Sequence, residues 1–179
     1  AVRHAIAEGA DFAEIDVQTT ADGVVVLFHD DDFMRVASLN RRLRDIKYDE
    51  LKDIDGGSWF APKFGSGSVP PCQDAIDVAR SRIKLNIELK YTWADPTLAE
   101  RVVNIVRRNG FASDCVVSSM DYQALMEIKK LLPEISTGLI VFHALGKLQK
   151  IETDFMCLYF GLAKAQLVKR LRRREKEIH

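Results

Sequence analysis

From Ala13 to Gln18 polar and apolar positions alternate with the period of an extended strand. Glu14 and Asp16 fall on one side of that ribbon, and Ile15 and Val17 fall on the other. Asp22-Gly23 then gives a tight-turn signal ahead of a second β-rich run, Val24-Val-Val-Leu-Phe28. So short a connection joins antiparallel strands, since parallel neighbours require a long crossover. The pattern therefore predicts a hairpin turning at 21–23, acidic on one face and apolar on the reverse. Cross-strand pairing then sets His29 opposite Glu14 or Asp16, according to the register.

Around this hairpin the pattern changes period repeatedly. Val2, Ala5 and Ile6 form a short helical stripe, with Gly9 placed as its C′ residue. Residues 30–51 are charged and weakly periodic, with Asp49-Glu50-Leu51 opening a short helix, and a Gly/Ser/Pro-rich stretch continues to Pro71. This reads as a long insertion with little repeating structure, a kind of segment that is often functional. A helix is predicted at 73–82. Lys84 to Lys90 then alternates strictly, with Asn86, Glu88 and Lys90 on one face and Leu85, Ile87 and Leu89 on the other. Asp95-Pro96 reads as the N-cap and first residue of a helix carrying Leu98, Val102 and Ile105, ended by Asn109-Gly110. There follow a strand at 115–119, a helix capped by Asp121 and stopped at Pro133, and a strand at 137–142. A short helical or irregular piece runs through Lys150, then a strand at 155–160 and a helix from about Lys164. Strand and helix alternate throughout, which argues a parallel α/β sheet or barrel.

Composition narrows the partners. The chain has 179 residues, 47% of them hydrophobic, enough for the core of one globular domain. Lys plus Arg and Asp plus Glu number 26 each, so no global field recruits nucleic acid or anionic lipid. Cys72, Cys115 and Cys157 are odd in number and far apart, and read as buried thiols. The basic run from Lys169 to Arg174 reads as the solvated outside of a helix, with Leu167, Val168 and Leu171 turned inward. No apolar run approaches the roughly 20 residues of a bilayer span, and the chain as given is expected to be soluble. It opens at Ala1 within a helical pattern and stops just after a basic helix, so it is expected to be part of something longer.

The chemistry collects on few residues. Glu14, Asp16 and Glu88 each stand near the C-terminal end of a predicted strand, where parallel barrels build their active sites. Carboxylate oxygens without a soft ligand suit Mg²⁺ or Ca²⁺. Lys90 presents a positive charge to the same cavity, suited to an anionic ligand such as phosphate. Two plainer readings stand beside this one: a half-solvated hairpin whose charges face water, and a Glu88–Lys90 surface ion pair. The apolar positions flanking Glu88 favour a strand covered on both sides. His4 and His143 join no acidic cluster, and His179 is terminal. Glycine-rich phosphate loops, Cys/His metal spacings and a Gly-x-Ser-x-Gly elbow do not occur, so nucleotide binding and serine hydrolysis have no local support.

Glu14-Ile-Asp16, Thr20-Ala-Asp-Gly-Val24, His29-Asp30, Gly57-Ser-Trp-Phe60, Asn86-Ile-Glu-Leu-Lys90 and Thr137-Gly138, in this order and spacing, closely resemble the glycerophosphodiester phosphodiesterase family. Within it the chain is most similar to the catalytic domain of bacterial members that also carry a membrane domain. The resemblance implies an α/β TIM (β/α)8 barrel in which Glu14, Asp16 and Glu88 hold a divalent cation, Mg²⁺ or Ca²⁺. It implies His29 as one of two acid/base histidines, Lys90 as a phosphate-contacting lysine, and 31–71 as a family-type insertion within one partial barrel domain, 1–179. It also implies a His-Arg-Gly strand with the other histidine before Ala1, a Trp-Thr-Val-Asn strand after His179, and about five of the eight barrel strands within the chain. The implied reaction is metal-dependent hydrolysis of a glycerophosphodiester to glycerol 3-phosphate and an alcohol, with a neighbouring substrate hydroxyl as the attacking group. A barrel that binds phosphodiesters or a partner without turnover, and a lipid-headgroup phospholipase on the same scaffold, are the alternatives. A membrane tether in the parent protein is compatible with each of them, and neither oligomeric state nor compartment is set by the sequence.

Overall fold

The computed structural model describes residues 1–65, 67–90, 92–143, 148–174 and 176–179. Helix α1 (Val2–Ala7) is capped by Glu8, with Gly9 beyond it as expected, and leads into strand β1 (Phe12–Thr19). The chain then turns. Thr20 N donates to Val24 O, Gly23 N donates to Thr20 O, both at 3.0 Å, and the Thr20 hydroxyl donates to Asp22 Oδ1 at 2.7 Å. Gly23 adopts φ +84°, a conformation that strains any residue with a Cβ. Strand β2 (Val25–Leu27) returns antiparallel, with Val17 level with Leu27 and Thr19 level with Val25.

The next segment is more ordered than its pattern suggests. Strand β3 (Asp32–Phe33), helix α2 (Met34–Ala37), strand β4 (Leu39–Arg42) and helix α3 (Tyr48–Leu51) surround a small core of their own. In it Phe33, Leu43, Ile46 and Leu51 are fully buried, and Phe28 stacks on Phe33 at 4.4 Å between ring centroids. The expectation of little repeating structure is corrected here. Elements of two to four residues are too short for a period to register in the sequence. Leu27 N donates to Pro70 O at 2.9 Å and Val26 bridges to Pro71, so the segment leaves and rejoins the sheet at one place.

From there the described residues give α4 (Cys72–Ala79), β5 (Lys84–Leu89), α5 (Leu98–Arg108), β6 (Cys115–Ser119), α6 (Tyr122–Leu131), β7 (Ser136–Val141), β8 (Phe155–Leu158), α7 (Ala165–Arg172) and β9 (Glu177–Ile178), alternating except between β7 and β8. Asp121 caps α6 as expected, its carboxylate accepting from Gln123 N and Ala124 N. Asp95 does not cap α5. Its carboxylate accepts from Thr97 N at 2.9 Å and from the Thr97 hydroxyl at 2.6 Å, closing a turn ahead of the helix, and Thr97 is the cap residue. Strand β9 is a third correction, because the basic helix expected to run to this point ends at Arg172 as α7. The piece expected before Lys150 lies outside the described residues at 144–147, and Leu148–Lys150 form a 3₁₀ turn.

The seven strands form one sheet in the order β2-β1-β5-β6-β7-β8-β9, with β2 antiparallel at one edge and the other six parallel. Parallel strands joined through helices, as β5 to β6 by α5, β6 to β7 by α6 and β8 to β9 by α7, are the construction of a TIM barrel. Among the described residues six parallel strands are present where about five were expected. Among the described residues β2 and β9 are the end strands and do not pair with each other. Ile15, Val17, Leu85 and Ile87 on the apolar side of β1 and β5 join Ile76, Val102, Val106 and Leu125 of the helices in one buried cluster. Each such side chain contributes about 1.5–3 kcal/mol by leaving water. Gly138 sits level with Phe155 on the next strand, and a Cβ there meets the Phe155 ring at 2.0 Å, so only glycine lets β7 and β8 pair with that ring in place. No helix among the described residues is long and apolar enough to cross a membrane.

Candidate metal and phosphate site

The parallel register of β1 and β5 sets Glu14 beside Asn86 and Asp16 beside Glu88. Side chains of one parity on both strands therefore share one face, and carboxylate oxygens of Glu14, Asp16 and Glu88 lie within 4.8 Å of one another. Lys90 follows directly at the end of β5, its backbone N donating to Val17 O at 3.0 Å. Its ammonium lies 2.6 Å from Glu88 Oε1 and 3.3 Å from Asp16 Oδ1. The acidic face and the lysine predicted from alternation thus meet in one place. The Glu88–Lys90 pair is half-buried within a four-residue cluster rather than a lone surface contact.

Three carboxylates and one ammonium leave an excess of negative charge. Glu14, the outermost member, bears it: desolvation by its surroundings, followed by the charges of Asp16 and Glu88, raises its pKa to about 7. Burial by itself would lower the pKa of Lys90, but the hydrogen bond and charge of Glu88, together with Asp16, hold it raised. A cluster of oxygen donors that retains a proton near neutrality for want of positive charge fits a hard divalent cation. Its donor set contains no soft ligand. Cys72 and Cys115 are free and buried, with thiols pushed up to about 12, and half-buried Cys157 is pushed up to about 11, so none of them is a ready thiolate.

His29 arrives by another route. In the observed register Phe28 N donates to Asp16 O at 3.0 Å, which puts His29 level with Ile15 and beyond the last residue of β2. The expectation that pairing sets His29 opposite Glu14 or Asp16 is corrected: the strand ends before reaching it. Its side chain is 60% exposed, with Nδ1 2.7 Å from Asp30 Oδ1. Asp30 Oδ2 accepts in turn from Arg35 Nε at 2.6 Å, and the Arg35 guanidinium lies 4.3 Å from the centre of the Trp59 ring. Burial would raise the Asp30 carboxyl, but its bonds to His29 and Arg35 outweigh that and keep it lowered. Among the remaining histidines, His4 lies 3.9 Å from Glu8 on exposed α1 and His179 rests on the Phe155 ring, away from the cluster.

Sequence reasoning assigned no role to three features. Asn86 Oδ1 accepts from the buried Ser118 hydroxyl at 2.9 Å, beside Glu14 in register. Gln18 continues the period of Glu14 and Asp16, a signal available in the sequence. A recess of about 460 Å³ opens beside Glu88 and Lys90, walled by Thr92, Trp93, Ser119 and Met120. The exposed Trp93 and Met120 belong to different strand–helix loops, so only the fold brings them together.

The glycerophosphoryl diester phosphodiesterase family model matches residues 1–179. A glycerophosphodiester phosphodiesterase of Bacillus altitudinis is 29% identical over 148 residues, covering 81% of this chain and 60% of the relative. That of Caldanaerobacter subterraneus subsp. tengcongensis is 28% identical over 142 residues, covering 78% and 58%. A mouse lysophospholipase D is 30% identical over 113 residues, covering 60% and 34%. In fold the chain is similar to an Oleispira antarctica phosphodiesterase solved in complex with the product sn-glycerol-3-phosphate, at TM-score 0.91 and 25% identity, covering 99% of this chain and 74% of that one. The chain spans about 60% of the length of the bacterial relatives it matches.

Proposed function

The chain belongs to the glycerophosphoryl diester phosphodiesterase family, and on that premise we propose that its protein hydrolyses glycerophosphodiesters to glycerol 3-phosphate and an alcohol. One observation carries this reading: Glu14, Asp16 and Glu88 converge from adjacent parallel strands with the Lys90 ammonium among them. The Oleispira phosphodiesterase, whose fold this chain shares, holds glycerol 3-phosphate as product and supports the same substrate class.

Glu14, Asp16 and Glu88 would hold a divalent cation, Mg²⁺ or Ca²⁺. Bound there, such an ion supplies Lewis-acid neutralisation of charge on a phosphoryl oxygen. Lys90, fixed by Asp16 and Glu88, offers its ammonium to the phosphate as a point charge. His29 acts as an acid/base group. Asp30 occupies Nδ1 and is itself anchored by Arg35, which leaves Nε2 to deliver a proton to the departing alcohol oxygen as its bond to phosphorus breaks. A neighbouring substrate hydroxyl, giving up its own proton, bonds to phosphorus in its place, and water then opens the resulting cyclic phosphate to glycerol 3-phosphate. Residues 31–71 serve as the family-type insertion, linked to this histidine through Arg35.

The recess beside Lys90 favours a second substrate reading on the same chemistry, a lipid-headgroup phospholipase whose substrate carries an apolar acyl chain on its glycerol. Its exposed Trp93 and Met120 suit such a group, and the mouse lysophospholipase D is a relative with a lipid substrate in its name. A membrane tether in the natural protein belongs to this proposal, and fractionation of that protein checks it. Release of the headgroup alcohol, choline or ethanolamine, from glycerophosphocholine, glycerophosphoethanolamine and lysophosphatidylcholine, with Mg²⁺ or Ca²⁺ and after chelation, tests the assignment; glycerol 3-phosphate is the other product of the first two substrates and an acylglycerol phosphate that of the third. Turnover that is metal-dependent on the first two substrates supports the leading reading, and turnover confined to the third supports the second. Wild-type rates in Glu14→Ala, Asp16→Ala and Glu88→Ala variants exclude both.

A further inference from the structure

We infer that Gln18 is the positioning residue for His29, a clamp that fixes the histidine segment to the strand carrying the carboxylates; this rests on the acid/base reading of His29. Side chains along β1 alternate, so Gln18 stands one period beyond Asp16 on the face that carries Glu14 and Asp16. It is 5% exposed, and its amide nitrogen donates to Phe28 O at 2.8 Å and to Asp30 O at 2.7 Å. These two carbonyls bracket His29. Both lie past the final paired position, Val17 with Leu27, where the chain peels away from the sheet and the ladder offers them no partner. Two acceptors require both hydrogens of the amide, which fixes its orientation and exhausts its donors.

The arrangement explains how an exposed imidazole is held. His29 is 60% exposed and makes its side-chain hydrogen bond to a neighbour in the chain, Asp30, which moves with it. Neither feature ties the ring to the carboxylates. The Gln18 bonds do so from the opposite side of the backbone, because Gln18 and Asp16 belong to one rigid strand paired on both edges. A buried donor of this length is needed for that. Glutamate presents a second acceptor to the carbonyls, methionine presents nothing, and asparagine falls one methylene short.

The test uses the natural full-length protein with Gln18→Met and Gln18→Glu. We expect kcat on glycerophosphocholine to fall about 10- to 100-fold, with KM and Mn²⁺ affinity each held within about twofold of wild type. In the metal-free protein the His29 ring signals, identified by their loss in His29→Asn, are expected to shift or broaden in proton–carbon spectra while those of His4 stay in place. An unmoved His29 signal, an unchanged kcat, or a loss of Mn²⁺ affinity as large as the loss of kcat overturns the proposal; the last makes Gln18 a support for the carboxylates instead. Should Gln18→Met not fold, Gln18→Asn is measured against the same criteria. The spectra do not need turnover, so a wild-type protein that releases no glycerol 3-phosphate defeats the functional reading while the His29 signal still decides the clamp.

Discussion

The β1–β5 pair and the segment leaving β2, which we propose serve one site, place their side chains by opposite means. In the pair, parallel register and strand alternation bring Glu14, Asp16 and Glu88 together with no side chain needed to steer them. In the segment, the strand stops at Leu27, and His29 is located by individual side-chain hydrogen bonds: Gln18 donates to the carbonyls of Phe28 and Asp30 on either side of it, His29 Nδ1 meets the Asp30 carboxylate, and Arg35 donates to that carboxylate. Repetitive backbone places charge as a consequence of its geometry, whereas a segment outside the ladder requires a dedicated side chain for each degree of freedom it loses.

That contrast breaks if the two regions fail in the same way. Glu88→Ala or Asp16→Ala is expected to lower turnover by roughly 10³-fold or more and to abolish cation binding, because each removes a donor from a small oxygen cage; calorimetric titration beside the glycerol 3-phosphate assay reads both. His29→Ala is expected to lower kcat by about 10²–10⁴-fold with cation affinity intact. Equal loss of cation affinity in the His29 variant would erase the distinction. Lys90→Met comes next, with an expected rise in KM of about tenfold as a phosphate contact is lost, measured from initial rates across substrate concentration.

Protons give a finer test. Glu14 has a pKa of about 7 in the metal-free fold against an ordinary value of 4.5, so between those values the folded chain holds more proton than the unfolded one. Stability of the metal-free protein from this group is therefore greatest at the acidic end of that window and declines as pH rises through 7. Cation affinity runs the other way, increasing with pH across the window and releasing a proton on binding at pH 6. Titration in buffers of different ionisation heat counts that proton, and a count of zero would contradict the charge excess assigned to the cluster. The smallest expected effect lies in the frame itself. Gly138→Ala pushes a methyl group into the Phe155 ring and should cost about 1–3 kcal/mol in thermal or denaturant unfolding.

Much of this was legible beforehand wherever a period runs for several residues. The sidedness of Glu14, Asp16, Glu88 and Lys90, the hairpin turn at Gly23 and the Asp121 cap all follow from local rules, and the fold agrees with each. Legibility fails where elements are short or the decisive partner is distant. The small core under Phe33 and Leu51 is built from elements of two to four residues, and Asp95 serves a turn where a helix cap was expected. Gln18 has the right parity, but parity does not say that two carbonyls ten and twelve residues further on will lack partners.

By itself the amino-acid order determined which side chains share a strand face, since alternation is a property of the extended backbone and needs no neighbour. It determined the succession of the longer strands and helices through their different periods, though not the short elements. The tertiary structure decided which strands stand side by side, and hence that Asp16 meets Glu88 and that Lys90 lies between them. It also decided where β2 ends, leaving His29 outside the ladder and in the keeping of Gln18. Those outcomes depend on register, the offset between segments distant in the chain, which is set by packing of the whole apolar face and is carried by no single stretch of sequence.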